Sequence, residues 1–148
     1  MRRVAHWLIS TLFVLVAALI GGPAQADPDA AVPAKVTERI VADLSRADLD
    51  AVASETKKFM GETAADRIKN NFAAIKDLGK SQYTEQVYSR DYGQMEKDFI
   101  YKIDFDQAFA YVRVLWQIDN GDWRLIHLAY KTENELPFPA GWEHIYPK

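Results

Sequence analysis

The sequence predicts an α+β fold, with N-terminal helices packed on a curved antiparallel sheet of about four strands. Three observations carry this reading. Apolar residues recur at helical spacing between Val36 and Ile75. From Gln82 onward the chain is rich in Tyr, Val, Ile, Phe and Trp and alternates with a period of two. Between two of those alternating runs stands Asn120-Gly121, the dipeptide best suited to a type I′ hairpin, because both of its central residues need positive φ.

Pro33 suits the first turn of a helix, where its missing N–H is not needed. Val36, Ile40, Val41 and Leu44 carry that helix to about Arg46. Asp48 can cap a second helix, with Leu49, Val52, Thr56, Phe59 and Met60 on one side and Gly61 ending it. Thr63 and Asp66 have capping-box spacing for a third helix, whose stripe is Ala65, Ile68, Phe72 and Ile75. Gly79 stops it, with Lys76 and Lys80 near the negative end of the helix dipole. Strands are expected over 82–90, 99–105, 108–118 and 123–131.

The first 26 residues read as an address and not as part of the fold. Arg2 and Arg3 precede an uncharged apolar run of 14 residues, Trp7 to Ile20. Gly21-Gly22-Pro23 breaks it, and Ala24-Gln25-Ala26 has the small-x-small pattern of a signal-peptidase site. The run is shorter than the ~20 residues that span a bilayer, so no stable membrane span is expected after cleavage. The expected organisation is a signal peptide over 1–26, a disordered leader over 27–33, the α+β domain over 34–132, and a Pro/aromatic tail over 133–148. The expected location is the periplasm or the exterior.

Composition narrows the chemistry. The chain has 148 residues, 49% hydrophobic and 26% charged, which fits one globular domain. It has no cysteine, which excludes disulfides, thiolate catalysis and cysteine-ligated metals. A net charge of -3 gives no reason to expect nucleic acid. After residue 26 the only histidines are His127 and His144, with no metal-binding spacing, so no metal or other cofactor is expected. Asp104 and Asp106 flank Phe105 and read as a strand end, not as an EF-hand loop. Gly79-Lys80-Ser81 looks like the end of a phosphate loop, but Ala74 occupies the place of its first glycine. Ser54-Glu55-Thr56-Lys57 fits a Ser-x-x-Lys pattern that lacks its companion motifs.

A two-residue Asn120-Gly121 turn sets a register in which Ile118 faces Trp123, Trp116 faces Leu125, Val114 faces His127 and Val112 faces Ala129. Those eight side chains share one face. His127 then sits in an apolar setting, where an imidazole can act as acid, base or hydrogen-bond donor, or can simply be a satisfied core residue. The expected inward positions of the sheet carry no Asp or Glu, and Tyr101 supplies their only hydroxyl. An acid from a helix, such as Asp43 or Asp66, is the remaining source of a carboxylate.

A break before Asp48-Leu49-Asp50, Leu78-Gly79 ahead of the first strand, and a hairpin closing at Gly121-Asp122-Trp123-Arg124 together resemble the nuclear transport factor 2-like superfamily, a cystatin-like α+β cone. The arrangement is similar to small secreted bacterial domains of unknown function, over roughly Val36 to Glu133. The resemblance implies a concave sheet face that, with the helices, encloses a pocket. Members include isomerases, dehydratases, transport factors and non-catalytic binding modules, so fold does not fix function. The expectation is an exported, non-catalytic envelope module that binds a small apolar ligand or a protein, with Tyr101, Trp116, Trp123 and His127 lining the ligand site. Two alternatives stay open. One is a small cofactor-independent isomerase or hydrolase using His127 with Tyr101. The other is a structural subunit that forms a homodimer.

The tail combines Pro137, Pro139 and Pro147 with Leu136, Phe138, Trp142, Ile145 and Tyr146. The prolines forbid a helix or central strand, yet the side chains are too apolar for a solvated end. The outer face of the hairpin, with Tyr111, Leu115, Ile126, Leu128 and Tyr130, is the expected place for Phe138 and Trp142 to pack.

Overall fold

The computed structural model describes residues 29–93 and 95–132; the segment expected as a signal peptide, over 1–26, and the tail expected over 133–148 lie outside them. Pro33 opens the first helix, α1 (Val32–Ser45), whose apolar stripe Val36, Ile40, Val41 and Leu44 is buried. The helix thus begins inside the stretch expected as a disordered leader over 27–33. Asp29 accepts a hydrogen bond from the Ala31 N–H at 2.9 Å and fixes the entry turn. Ala47 at φ 54 turns the chain between helices. Asp48 then caps α2 (Leu49–Met60), accepting from the Ala51 N–H at 3.0 Å.

Gly61 both ends α2 and starts α3 (Glu62–Asn71), so Thr63 lies within the helix and not at its cap. The expected capping box is absent because α2 and α3 share this single glycine as their joint, which leaves no room for a separate cap. The stripe Ala65, Ile68, Phe72 and Ile75 is buried as expected, but its last turns tighten into a 3₁₀ segment, Ala73–Leu78. Gly79 follows at φ +88, where a Cβ would stand 2.9 Å from that of Asp106. Asp106 uses this closeness: it accepts from the Lys80 N–H at 2.9 Å and from Gln82 Nε2 at 2.6 Å. The Gln107 N–H donates to the Leu78 carbonyl at 3.1 Å and ties the end of the 3₁₀ segment to the same loop.

Four antiparallel strands follow in the order β1-β2-β3-β4: β1 (Ser81–Asp91), β2 (Glu96–Phe105), β3 (Phe109–Asp119) and β4 (Asp122–Thr132). Asn120 at φ 53 and Gly121 at φ 87 make the β3–β4 turn with both central residues left-handed, as a type I′ hairpin demands. The helices cover one face of this sheet, packing on β2, β3 and β4.

The register agrees with expectation only near the turn. Ile118 faces Trp123 and Trp116 faces Leu125, but a bulge then gives β4 one extra residue, Ile126. Beyond it Val114 faces Leu128 and Val112 faces Tyr130, in place of His127 and Ala129. A one-residue slip in a strand of period two moves every following side chain to the other face. Leu128 and Tyr130, expected outside, join the core, while His127 and Ala129, expected inside, turn away from it.

The core lies between the helices and the inner sheet face. Trp116 is its centre: it is 0% exposed, donates from Nε1 to Thr37 Oγ1 on α1 at 2.8 Å, and takes the edge of Phe59 from α2 at 5.0 Å. Phe72 stacks on Tyr130 at 4.8 Å and anchors the lower end. Thr37→Val keeps the side-chain shape and leaves the indole N–H buried without a partner. An unmet buried donor costs about 1–3 kcal/mol. The expected outcome is a lower urea midpoint with an unchanged slope, checked by equilibrium denaturation.

Candidate functional site

Three of the four expected ligand-lining residues share the inner face. Trp116 is enclosed as described. Tyr101 is buried, donates from its hydroxyl to Gln86 Oε1 at 2.8 Å, and has its pKa raised, by burial first and by the charge of Glu38 second. Trp123 is buried with Lys97 Nζ 5.8 Å from its ring centre. Its indole N–H is buried without a hydrogen-bond partner among the described residues. These side chains form the packed interior, and their polar atoms, Trp123 apart, are used in holding it together.

His127 is not with them. The bulge at Ile126 turns it onto the outer face, opposite Leu115, where solvent reaches the ring. The pairing of His127 with Tyr101 expected for an isomerase or hydrolase is therefore not formed, since the sheet itself separates them. The helical carboxylates do not restore such a site. Asp43 is paired with Arg46 at the end of α1, with its pKa raised by burial against the pull of that arginine. Asp66 is exposed on α3.

The outer face holds a different cluster, one that the sequence did not disclose. Asp98 on β2 is 1% exposed and accepts two hydrogen bonds from Arg113 on β3, from Nε at 3.1 Å and from Nη2 at 2.8 Å. The fork geometry matches the carboxylate and joins the two central strands diagonally. Asp98 precedes the strand expected over 99–105, and the observed strand reaches back to Glu96, so Asp98 continues the alternation of Ile100, Lys102 and Asp104. Extending that alternation backward would have placed it on the same face as Arg113. Nearby, burial raises the pKa of Tyr88. Arg90 lies 4.3 Å over the Tyr92 ring, and Lys102 Nζ is 2.8 Å from Asp104.

In the outer cluster the acid is already committed to a guanidinium, and His127 stands on the same face. His127 has its pKa lowered, by burial first and by the positive charge of Arg113 second, with Asp98 opposing. Among the described residues, no group of His, Cys, Asp and Glu could hold a metal ion, and no helix is long and apolar enough to cross a membrane. His144 lies outside the described residues. In comparison with known proteins, the chain matches no family model, no curated protein and no solved structure.

The lowered pKa of His127 has a defined sign. Unfolded, the imidazole takes up its proton near pH 6.5, while the folded protein resists it to lower pH. The contribution to stability is fully present above that pH and is lost as pH falls toward the folded value. The expected outcome is that wild type loses stability relative to His127→Gln on acidification from neutrality. Parallel denaturation curves for the two proteins at each pH would contradict it.

Proposed function

We propose that this chain is an exported, non-catalytic envelope module of the nuclear transport factor 2-like type that binds a protein partner through the β1 edge of its sheet. The observation that carries this reading is where the large exposed hydrophobics stand. Among the described residues these are Tyr83, Tyr92, Met95 and Ile126, and the first three lie on β1 or on the loop that follows it. The helices pack on β2, β3 and β4, and β1 is an edge strand of 11 residues, most of them exposed. Such an edge offers a row of backbone donors and acceptors to an incoming strand, with side chains of alternate residues supplying specificity.

The inner face weighs in the same direction. The place where a cone of this superfamily would hold a small apolar ligand is occupied by Trp116, with Phe59 and Thr37 against it. Export rests on the charge, apolar run and small-x-small site of the first 26 residues. The two register shifts in β1, between Ser81 and Tyr83 and between Gln86 and Tyr88, limit indiscriminate pairing and favour a partner shaped to them.

Two measurements test this. Intact mass of the exported protein is expected to correspond to a chain beginning at Asp27; a mass that retains Met1 would count against export with cleavage. A photo-crosslinking residue at Tyr83 is expected to trap one protein in intact cells, while the same residue at Lys58 on the exposed side of α2 traps none. Equal trapping at both positions, or release of a tightly held small molecule on denaturing the purified protein, would overturn the partner reading.

A further inference from the structure

Strand β1 is an edge of the sheet, and a bulge at its middle gives that edge a two-fold pattern. Gln86 pairs with Tyr101 and Tyr88 with Ile100, so Val87 and Tyr88 together take a single place in the ladder. Gln86 accepts from the Tyr101 hydroxyl, which sets it on the helix-facing side. Glu85 pairs with Lys102 and Arg90 with Asp98, so both stand on the outer face. An odd number of residues separates them, and an unbroken strand would have put them on opposite faces. Tyr83, opposite Asp104, is on the outer face too. Tyr92 continues the ladder by donating from its N–H to the Glu96 carbonyl at 2.9 Å, and Arg90 lies 4.3 Å over its ring. The outer side of β1 thus reads Tyr83, Glu85, bulge, Arg90, Tyr92: one aromatic and one charge on either side of the centre, the charges of opposite sign. Among the described residues neither Glu85 nor Arg90 is in an ion pair. The neighbours of Arg90 are the Tyr92 ring and the Tyr88 hydroxyl.

We propose that the protein at this edge is a second copy of the chain, its β1 laid antiparallel to the first about a two-fold axis through Val87–Tyr88. The proposal rests on the reading of β1 as a binding edge and names its occupant. A two-fold axis that continues a sheet keeps outer face beside outer face, so residues set opposite each other have to lie on the same side. Counted outward from the bulge, Gln86 meets Ser89 of the second copy, Glu85 meets Arg90, Thr84 meets Asp91 and Tyr83 meets Tyr92, and every pair shares a face. Symmetry makes each contact twice. Opposite charges and paired aromatics directly across from each other are favourable cross-strand combinations. The bulge is what permits the match, since without it Glu85 and Arg90 would point to different sides. No other symmetric register joins them: a slide of two places sets Glu85 against Tyr92, or Arg90 against Tyr83. Stacking on Tyr92 occupies the flat face of the guanidinium and leaves the N–H fork in its plane for a carboxylate. Tyr83 and Tyr92, 57% and 40% exposed in the single chain, are covered in the pair.

Sedimentation equilibrium of the exported protein is expected to show a dimer. Glu85→Arg and Arg90→Glu each set like charges against each other twice, and each is expected to weaken the dimer by about tenfold or more with unchanged circular dichroism. Mixing the two variants in equal amounts is expected to restore a dimer, because every arginine then meets a glutamate of the other chain. A second measurement is independent of these charges and holds even if Arg90→Glu, beside Asp98, does not fold. The chain has no cysteine, so Tyr83→Cys mixed with Tyr92→Cys is expected to form a cross-chain disulfide on mild oxidation, while neither variant alone does. A monomeric wild type, a dimer indifferent to both charge reversals, folded variants that stay apart when mixed, or no disulfide in the cysteine mixture would each overturn the proposal. A monomer whose Tyr83 crosslinker still traps a different protein would sink the second copy alone and leave the partner reading standing. A monomer that traps nothing at Tyr83 would sink both.

Discussion

One extra residue on β4 decides what each face of this protein is for. With Ile126 inserted against the Leu115–Trp116 step of β3, the inner face receives Leu128 and Tyr130 where an unbroken ladder would have delivered His127 and Ala129. Tyr130 then meets Phe72 and closes the lower core, which an alanine at that level could not do. An imidazole is kept out of the apolar layer, where its polar atoms would have needed partners. The same insertion puts a histidine and a small residue on the outer face beside Arg113. A strand of period two allows no intermediate solution, because one residue more or less exchanges the two sides completely.

Given that partition, Trp116 ties the inner face to the helices. It is reached from three directions, by the Thr37 hydroxyl from α1, by the Phe59 edge from α2 and by its strand neighbours. A buried indole needs its N–H satisfied, and the hydroxyl that does so comes from a helix remote in sequence. The hydrogen bond therefore sets how α1 lies on the sheet as well as stabilising it.

The parts of this structure that were legible in the sequence are those governed by local rules. Asp48 caps a helix through its own carboxylate three residues from the bonded N–H, and Asn120-Gly121 meets a steric demand within two residues. The helical stripes need only a periodic run of apolar residues, and the stripe through Phe72 and Ile75 persisted even where the helix tightened to 3₁₀. The bulge was not legible. It requires no glycine, and Ile126 is as good a strand residue as its neighbours; what favours it is the gain of Tyr130 packing on a helix about sixty residues away in the chain. The shared Gly61 joint is of the same kind, since two helices meeting at one residue is a tertiary outcome. Tyr101, Trp116 and Trp123 were placed on the correct face and His127 was not, because only His127 lies beyond the bulge.

The Asp98–Arg113 pair fits best as a device of specificity. Desolvating a carboxylate and a guanidinium costs several kcal/mol, which their attraction and two hydrogen bonds roughly repay, so an apolar pair of similar size would serve stability equally well. What an apolar pair would lack is discrimination. The bidentate fork tolerates only one relation between β2 and β3. A slip of one residue would leave a buried charge unpaired and turn Ile100 or Leu115, whichever strand moved, toward the helices. The strands on either side of this pair both carry irregularities, two in β1 and one in β4, while the β2–β3 ladder runs without a shift. The ion pair thus sits at the one ladder whose register must hold for the other two to be allowed their bulges. We offer this as a hypothesis: Asp98→Leu with Arg113→Leu should retain stability but lose a unique β2–β3 register, visible as doubled or broadened amide signals along those strands. A single sharp set of signals would show that the apolar pattern alone fixes it.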